Sequence, residues 1–589
     1  MGWNVIGWIK ERFGGTPPPP PPPPAPPAPA PRPEMPADRF APALDPENPV
    51  GQVGLAAIQA CRTASDRQQL QVAFGAVAAG FQGGALGPAV ARAYLKAYND
   101  GMSKAGYADG VRGGLTCLAG LEPVDSPAEL VASCGAASLG SGNTEERCKL
   151  AHAFSQSLSQ SEQPLKGLVR AYRSAASAGL SWEYYDSSLL AGWQRLGRHG
   201  DPQTAEFARS MGKVQKAADP GRDRGRIGSH ALDELEGETP GRRLAGLLDR
   251  AANEGMSWQS FRASSLQAFR ELEKSSQAPA DERDLAAVAR TCLEACKHDE
   301  NGGKVAWSFL KELQRGTPDP GARRLARTLL DASDRSLSWE NYSRVIRVGL
   351  EALEADGPEA AILEAGARSM DACKSDVDRG KVGRSLMRQL SHPLSGPPEV
   401  AVARMMSAAS DENMSWESYG SACEAALTSL RGFPLEEDSR LYLEVACASL
   451  AGGRNAEERG KLGRAFLAGL TSLDPDRPGK ALARAFQQAA QDNLSWEGYA
   501  DALKAGLSAL RASGRVGESL DAALAATGTA QSRCQSYLAG LERMGPLLEA
   551  HAEVKKLVSN PASPGVEVRE QQVTVGGVRI KVRREEPSP

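Results

Sequence analysis

Six times along the chain an apolar residue precedes a serine, and Tyr or Phe stands four positions after it. The copies are Met102-Ser103-Lys104-Ala105-Gly106-Tyr107, Leu180-Ser181-Trp182-Glu183-Tyr184-Tyr185, Met256-Ser257-Trp258-Gln259-Ser260-Phe261, Leu337-Ser338-Trp339-Glu340-Asn341-Tyr342, Met414-Ser415-Trp416-Glu417-Ser418-Tyr419 and Leu494-Ser495-Trp496-Glu497-Gly498-Tyr499. Successive serines lie 78, 76, 81, 77 and 80 residues apart. So even a period marks a repeat architecture, in which one unit cannot bury its apolar face alone and neighbours must stack.

The rest of each unit repeats as well. Six residues before each serine stands an alanine: Ala97, Ala175, Ala251, Ala332, Ala409 and Ala489. Eleven residues before it stands Arg92, Arg170, Arg327, Arg404 or Arg484, with Gly246 the exception. About 34 residues before it a helix opens on a charged turn, as in Asp223-Arg224-Gly225-Arg226, Asp378-Arg379-Gly380-Lys381 and Glu458-Arg459-Gly460-Lys461, with looser forms at Asp66, Glu146 and Asn301. Between these landmarks apolar residues follow helical spacing, as at Tyr499, Leu503, Leu507 and Leu510. Breakers such as Gly452-Gly453 and Asp474-Pro475 separate the segments. Each unit therefore holds four helices, A to D, with A starting at the motif.

The expected fold is all-α: an α-solenoid of about six and a half tandem four-helix repeats, each of about 78 residues, over 49–559, with a short C-terminal β-hairpin. The first unit lacks A and begins near Pro49, and the last D helix is expected over Pro546 to Leu557. A hydrophobic fraction of 41% with only 5% aromatics suits helices packed closely through small residues. The copies do not follow the tetratricopeptide, ankyrin or armadillo consensus, so the expectation is a fold class and no family.

Capping explains most of the motif. Serine takes the N-cap and accepts from a free N–H of the first turn. The preceding Leu or Met and the following Tyr or Phe are the N′ and N4 partners of a hydrophobic staple. Tryptophan is not needed for that. It is expected to wedge against helix D of the preceding unit, where the repeated alanine makes room. The rival reading is a row of indoles, Trp182, Trp258, Trp339, Trp416 and Trp496, open along one edge and able to hold a proline-rich or extended peptide, the chain's own Pro17–Pro36 included.

No catalytic, cofactor or metal residues are expected. Gly380-Lys381 and Gly460-Lys461 lack the Ser/Thr and the strand of a phosphate loop. Cys292, Cys296 and His298 lie close together, but Cys61 and Cys373 hold a similar repeat position without histidine, so small buried cysteines are the simpler reading. The six histidines fall in different helices and loops. Asp281-Glu282 and Asp299-Glu300 read as solvated helix starts. The recurring Arg of helix D and the basic residues of helix C (Lys149, Arg226, Lys304, Lys381, Lys461) form periodic rows that nucleic acid could follow. Interleaved acids and a net charge of -3 favour salt bridges between helices instead. An α/α-toroid enzyme would break repeat regularity at its catalytic positions, and no such break is visible.

The ends do not repeat. As a helix, residues 1–15 gather Val5, Trp8, Ile9 and Phe13 into one arc with Asn4, Lys10 and Glu11 opposite. Trp3, Trp8 and Phe13 are the candidate contacts to a membrane surface or a partner. Ile6 stands where myristoylation wants Ser or Thr. Residues 16–48 form a linker whose Pro17–Pro24 octamer and Pro/Ala run to Pro36 make a polyproline II spacer of about 60 Å. In the 560–589 tail, alternation around Gly576-Gly577 predicts a hairpin. Its apolar face holds Val575, Val578 and Ile580, which either cap the solenoid or add to a partner's sheet. With no 18-residue apolar run and ten scattered cysteines, the expected setting is soluble and cytoplasmic, with peripheral membrane contact only through residues 1–15. The expected function is a non-enzymatic scaffold or adaptor for protein partners, with a nucleic-acid-associated solenoid and a toroidal enzyme as alternatives; no small-molecule substrate is indicated.

Overall fold

The computed structural model describes residues 44–589, apart from 161–162, 318, 354–356, 395, 472–477, 515–517, 560–565, 576–577 and 588–589, with the backbone alone from 549 on. The expected N-terminal helix and polyproline arm lie outside the described residues, with Trp3, Trp8 and Phe13 among them.

Helices α1 (Pro49–Ala60), α2 (Ala64–Ala79) and α3 (Leu86–Asn99) precede the first motif. The first copy then starts α4 (Lys104–Leu121), followed by α5 (Pro127–Ser138), α6 (Thr144–Leu158) and α7 (Pro164–Ser177). The second starts α8 (Trp182–Leu196), with α9 (Pro202–Ala217), α10 (Gly221–Asp233) and α11 (Pro240–Asn253). The third starts α12 (Trp258–Glu273), with α13 (Ala280–Ala295), α14 (Asp299–Arg315) and α15 (Gly321–Asp334). The fourth starts α16 (Trp339–Glu351), with α17 (Gly357–Ala372), α18 (Asp376–Leu390) and α19 (Pro398–Asp411). The fifth starts α20 (Trp416–Leu430), with α21 (Glu437–Gly452), α22 (Ala456–Thr471) and α23 (Pro478–Gln491). The sixth starts α24 (Trp496–Ala512), followed by α25 (Glu518–Leu524) and α26 (Ala530–Ser559).

The chain is thus a tandem array of α-helices. None among the described residues is long and apolar enough to cross a membrane. Helices A and B alternate in one layer, since α4 packs between α1 and α5, and α5 between α4 and α8. Helices C and D alternate in a second layer, as α3 meets α6 and α11 meets α14, and each A also rests on the C of its own unit.

Every motif serine is an N-cap. Its hydroxyl accepts from the N–H three residues on, at 3.0 Å from Gly106, 3.3 Å from Tyr184, 3.2 Å from Ser260, 3.4 Å from Asn341, 3.3 Å from Ser418 and 3.0 Å from Gly498. The N4 aromatics Tyr107, Tyr185, Phe261, Tyr342, Tyr419 and Tyr499 are buried, and so are the six repeated alanines.

A polar joint links each unit to the next. The acid that opens helix C accepts from the motif serine of the following unit. Asp66 takes the Ser103 N–H at 3.1 Å and hydroxyl at 2.8 Å; Asp378 takes those of Ser415 at 3.4 and 2.8 Å. Asp223 does the same for Ser257, and Glu458 accepts the Ser495 hydroxyl at 2.5 Å. Glu146 and Asn301 accept only the N–H of Ser181 and Ser338. Two residues before each serine the chain turns left-handed, at Gly101, Gly179, Gly255, Ser336, Asn413 and Asn493, ending helix D. The basic residue of helix C donates to the carbonyl at that turn: Lys149 at 3.1 Å, Arg226 at 2.9 Å, Lys304 at 3.2 Å, Lys381 at 2.7 Å and Lys461 at 3.4 Å.

Two expectations need correction. No separate last helix begins at Pro546, because α26 runs through it from Ala530 to Ser559. In earlier units a non-helical segment separates C from D, as residues 234–239 do between α10 and α11, whereas Glu542-Arg543-Met544-Gly545 stay helical up to Pro546. Glu282 is not a solvated helix start. It is buried and accepts the Gly241 N–H at 2.9 Å and the Thr239 hydroxyl, capping helix D of the unit before, while Asp281, Asp299 and Glu300 are exposed.

Candidate functional site

The capped start of helix A sends the tryptophan out at the first helical position, toward helix C of the same unit. There it meets a glycine. A methyl group placed on Gly225 would stand 2.5 Å from Cε3 of Trp182, and one on Gly460 would stand 2.7 Å from Cε3 of Trp416. Trp258 covers Gly303 and Trp339 covers Gly380 in the same way. The expectation that the indole wedges against helix D of the preceding unit is therefore wrong. Bare glycine on helix C gives a ring a flatter seat than the alanine of helix D, which is already enclosed.

Each ring also meets the N4 aromatic of its own helix edge to face. The centroids are 6.2 Å apart for Trp182–Tyr185, 6.3 Å for Trp258–Phe261, 6.0 Å for Trp339–Tyr342 and 6.1 Å for Trp416–Tyr419. The other side stays open. Trp182, Trp258 and Trp496 are 41%, 39% and 50% exposed. Trp339 and Trp416 are half-buried, the latter under the Arg464 guanidinium, 5.1 Å from the ring centroid. All five project from the same layer of the array, one per unit.

The copies also show what happens without the pairing. Lys104 replaces tryptophan in the first motif, and Cys148 stands where the later C helices carry glycine. That helix pair packs with Tyr107 buried regardless. At the other end, the Cys534 thiol donates to the Trp496 carbonyl at 3.5 Å from the glycine's place, and Trp496 is the most exposed of the five. Reading the sequence for capping alone missed the glycine. The signal was there, in a Gly that accompanies Trp182, Trp258, Trp339 and Trp416 from unit to unit.

Other candidates resolve into structure. Cys296 donates to the Cys292 carbonyl at 3.4 Å and Cys292 to the Val345 carbonyl at 3.7 Å, while His298 is exposed at the N-cap of α14. Burial pushes the Cys296 thiol up to about 11 and raises Cys292 further. Among the described residues no three His, Cys, Asp or Glu gather into a metal-binding group. His199 faces Asp125 at 3.4 Å, His230 faces Glu254 at 3.1 Å, and His152 lies against the Tyr98 ring. On helix D, Arg327 is held by Glu312 and Asp319, and Arg170 by Gln160, while Arg92, Arg404 and Arg484 are exposed. Of the tail residues Val575, Val578 and Ile580, only the backbone is described. No protein-family model matches the chain, and neither does any curated protein or solved structure compared with it.

Proposed function

We propose that the chain is a non-enzymatic scaffold or adaptor, a solenoid of about six and a half four-helix repeats that binds protein partners along its indole-bearing edge. The observation that carries this reading is the half-open seat. A buried core would enclose the indole, and the Lys104 unit supports the view that packing does not require it. A large apolar ring left partly exposed in five successive units, and 39–50% exposed at Trp258, Trp182 and Trp496, suits contact with another molecule. Aromatic anchors spaced along a solenoid are a usual source of binding energy.

In this proposal the N-terminal helix, with Trp3, Trp8 and Phe13, tethers the array to a membrane surface or a partner at the end of the proline-rich arm. The C-terminal hairpin supplies a further contact through Val575, Val578 and Ile580. Antiparallel pairing of β1 (Val566–Val575) with β2 (Val578–Pro587), Val575 opposite Val578, supports the hairpin.

The test is affinity capture with the full-length chain, a form lacking 1–48, a form lacking 563–589, and W182A/W258A/W496A. The proposal expects the tryptophan variant to lose proteins that the parent retains, with its helical circular dichroism unchanged. Retention of every captured protein by that variant overturns the indole edge as the contact surface.

A further inference from the structure

The chain carries a proline-rich run of its own ahead of a row of partly exposed indoles. Resting on the reading of the indole edge as a contact surface, we propose that the edge is occupied in the free protein by the proline arm of the same chain, with Pro33, Pro27 and Pro21 lying on Trp182, Trp258 and Trp339.

The spacing supports it. Helices A and B alternate in one layer, so successive indoles are two helix–helix distances apart, ~16–20 Å at ~8–10 Å each. A polyproline II helix rises ~3.1 Å per residue with three residues per turn, so six residues make two turns and cover ~19 Å. Residues six apart on the arm therefore meet successive indoles with the same face. The arm has one face suited to this: Pro18, Pro21, Pro24, Pro27, Pro33 and Pro36 lie on it, interrupted by Ala30 alone. Arg32, Glu34 and Met35 fall on the other two faces. Proline rings packed on open aromatic faces are the usual means of recognising this helix.

Reach sets the direction. The described chain begins at Leu44, beside α1, and the A/B layer puts α1 three helix distances from α8, ~24–30 Å. The eleven residues from Pro33 to Leu44 span at most ~36–40 Å, enough to bring Pro33 to Trp182. The opposite polarity needs Pro33 at Trp339, seven helix distances from α1 and ~56–70 Å away, beyond that reach. Trp416 and Trp496 lie past the end of the proline run and stay free of the arm. A partner that takes this edge must displace the arm, which frees residues 1–15 at the same time.

The experiment is oxidation of the native full-length protein by N-bromosuccinimide, with each tryptophan's rate read by peptide mass spectrometry. Two variants are compared with the parent: P21S/P27S/P33S on the docking face, and P20S/P26S/P29S on another. The first is expected to speed oxidation of Trp182, Trp258 and Trp339 by about fivefold, as expected from removing a weak ligand held at high effective concentration. Trp416 and Trp496 serve as internal references and keep their rates, and the second variant behaves as the parent. Unchanged rates at all three indoles in the first variant overturn the proposal, as does an equal effect from both variants. Protection that rises with protein concentration also overturns it, since the contact is then between chains. Any of these results leaves the indole edge standing if W182A/W258A/W496A still loses its captured partners.

Discussion

Gly225→Ala is the most informative single substitution, because its sign depends on Trp182. On an open helix the change is favourable by ~1 kcal/mol, since alanine costs less backbone entropy. Here the new methyl stands 2.5 Å from Cε3 of Trp182. The ring is 41% exposed and able to swing outward, so the methyl is accommodated by unseating the indole. Six-tenths of a ~150–250 Å² side chain at ~25 cal/mol/Å² sets an upper bound of ~2–4 kcal/mol on that loss. Overpacking with the ring in place costs ~1–3 kcal/mol. Gly225→Ala is thus expected to destabilise by ~1 kcal/mol in the parent and to stabilise by ~1 kcal/mol in a Trp182→Ala background, a coupling of ~2 kcal/mol. Gly120→Ala, on α4 with nothing near its new methyl, stabilises in both. Repeat arrays need not unfold in one step, so the readout is hydrogen exchange of α8 and α10 alongside urea unfolding. The same sign for Gly225→Ala in both backgrounds refutes the glycine seat.

Three further outcomes follow from the joints, the thiols and the repeat itself. Burial pushes the Asp378 carboxyl up, and the hydroxyls of Ser415, Ser418 and Ser375 with the Ser415 N–H outweigh it, holding the group below its usual range. Its contribution is full above about pH 4 and is lost as pH falls through the lowered value, so Asp378→Asn costs ~1–3 kcal/mol at pH 7 and flattens the acid limb of urea midpoint against pH; an unchanged limb contradicts the joint. Cys296, pushed up to about 11, holds ~100-fold less thiolate at pH 8 than a free cysteine, so iodoacetamide labels it far more slowly in the native protein than in urea; equal rates would count against its burial. Copying the Lys104/Cys148 pair into a later unit as W258K/G303C shifts the urea midpoint by an amount equivalent to ~1 kcal/mol, below the ~2–4 kcal/mol bound on seating the ring because the lysine stem covers part of the same surface; a loss at or above that bound means the indole does more for the fold than Lys104 can replace.

The array was legible because its determinants are local. A serine N-cap, its staple partners and the left-handed turn before it all lie within a few residues, and their recurrence located each helix A. What joins units was not legible from capping rules. Asp378 reads as an ordinary charge at a helix start, yet it serves Ser415, thirty-seven residues on, across a unit boundary. The basic residues of helix C look like a row open to phosphate, but they donate to the carbonyls that end helix D. Trp182 and Gly225 are forty-three residues apart, and no local rule links them. Comparing copies points to the link, because Trp182, Trp258, Trp339 and Trp416 each have the glycine and the Trp-less unit has Cys148, with Trp496 and Cys534 the departure.

The central claim is that the five indoles belong to a contact surface and not to the core. It is tested by replacing all of them in the full-length chain by the first unit's own solution, Trp182, Trp258, Trp339, Trp416 and Trp496 to Lys, with Gly225, Gly303, Gly380 and Gly460 to Cys. Circular dichroism and thermal melting are read beside affinity capture. The account predicts native helix content, a melt still cooperative, and loss of the proteins that the parent captures. Collapse of the helical signal at room temperature, or a folded variant that captures the same proteins as the parent, would contradict it.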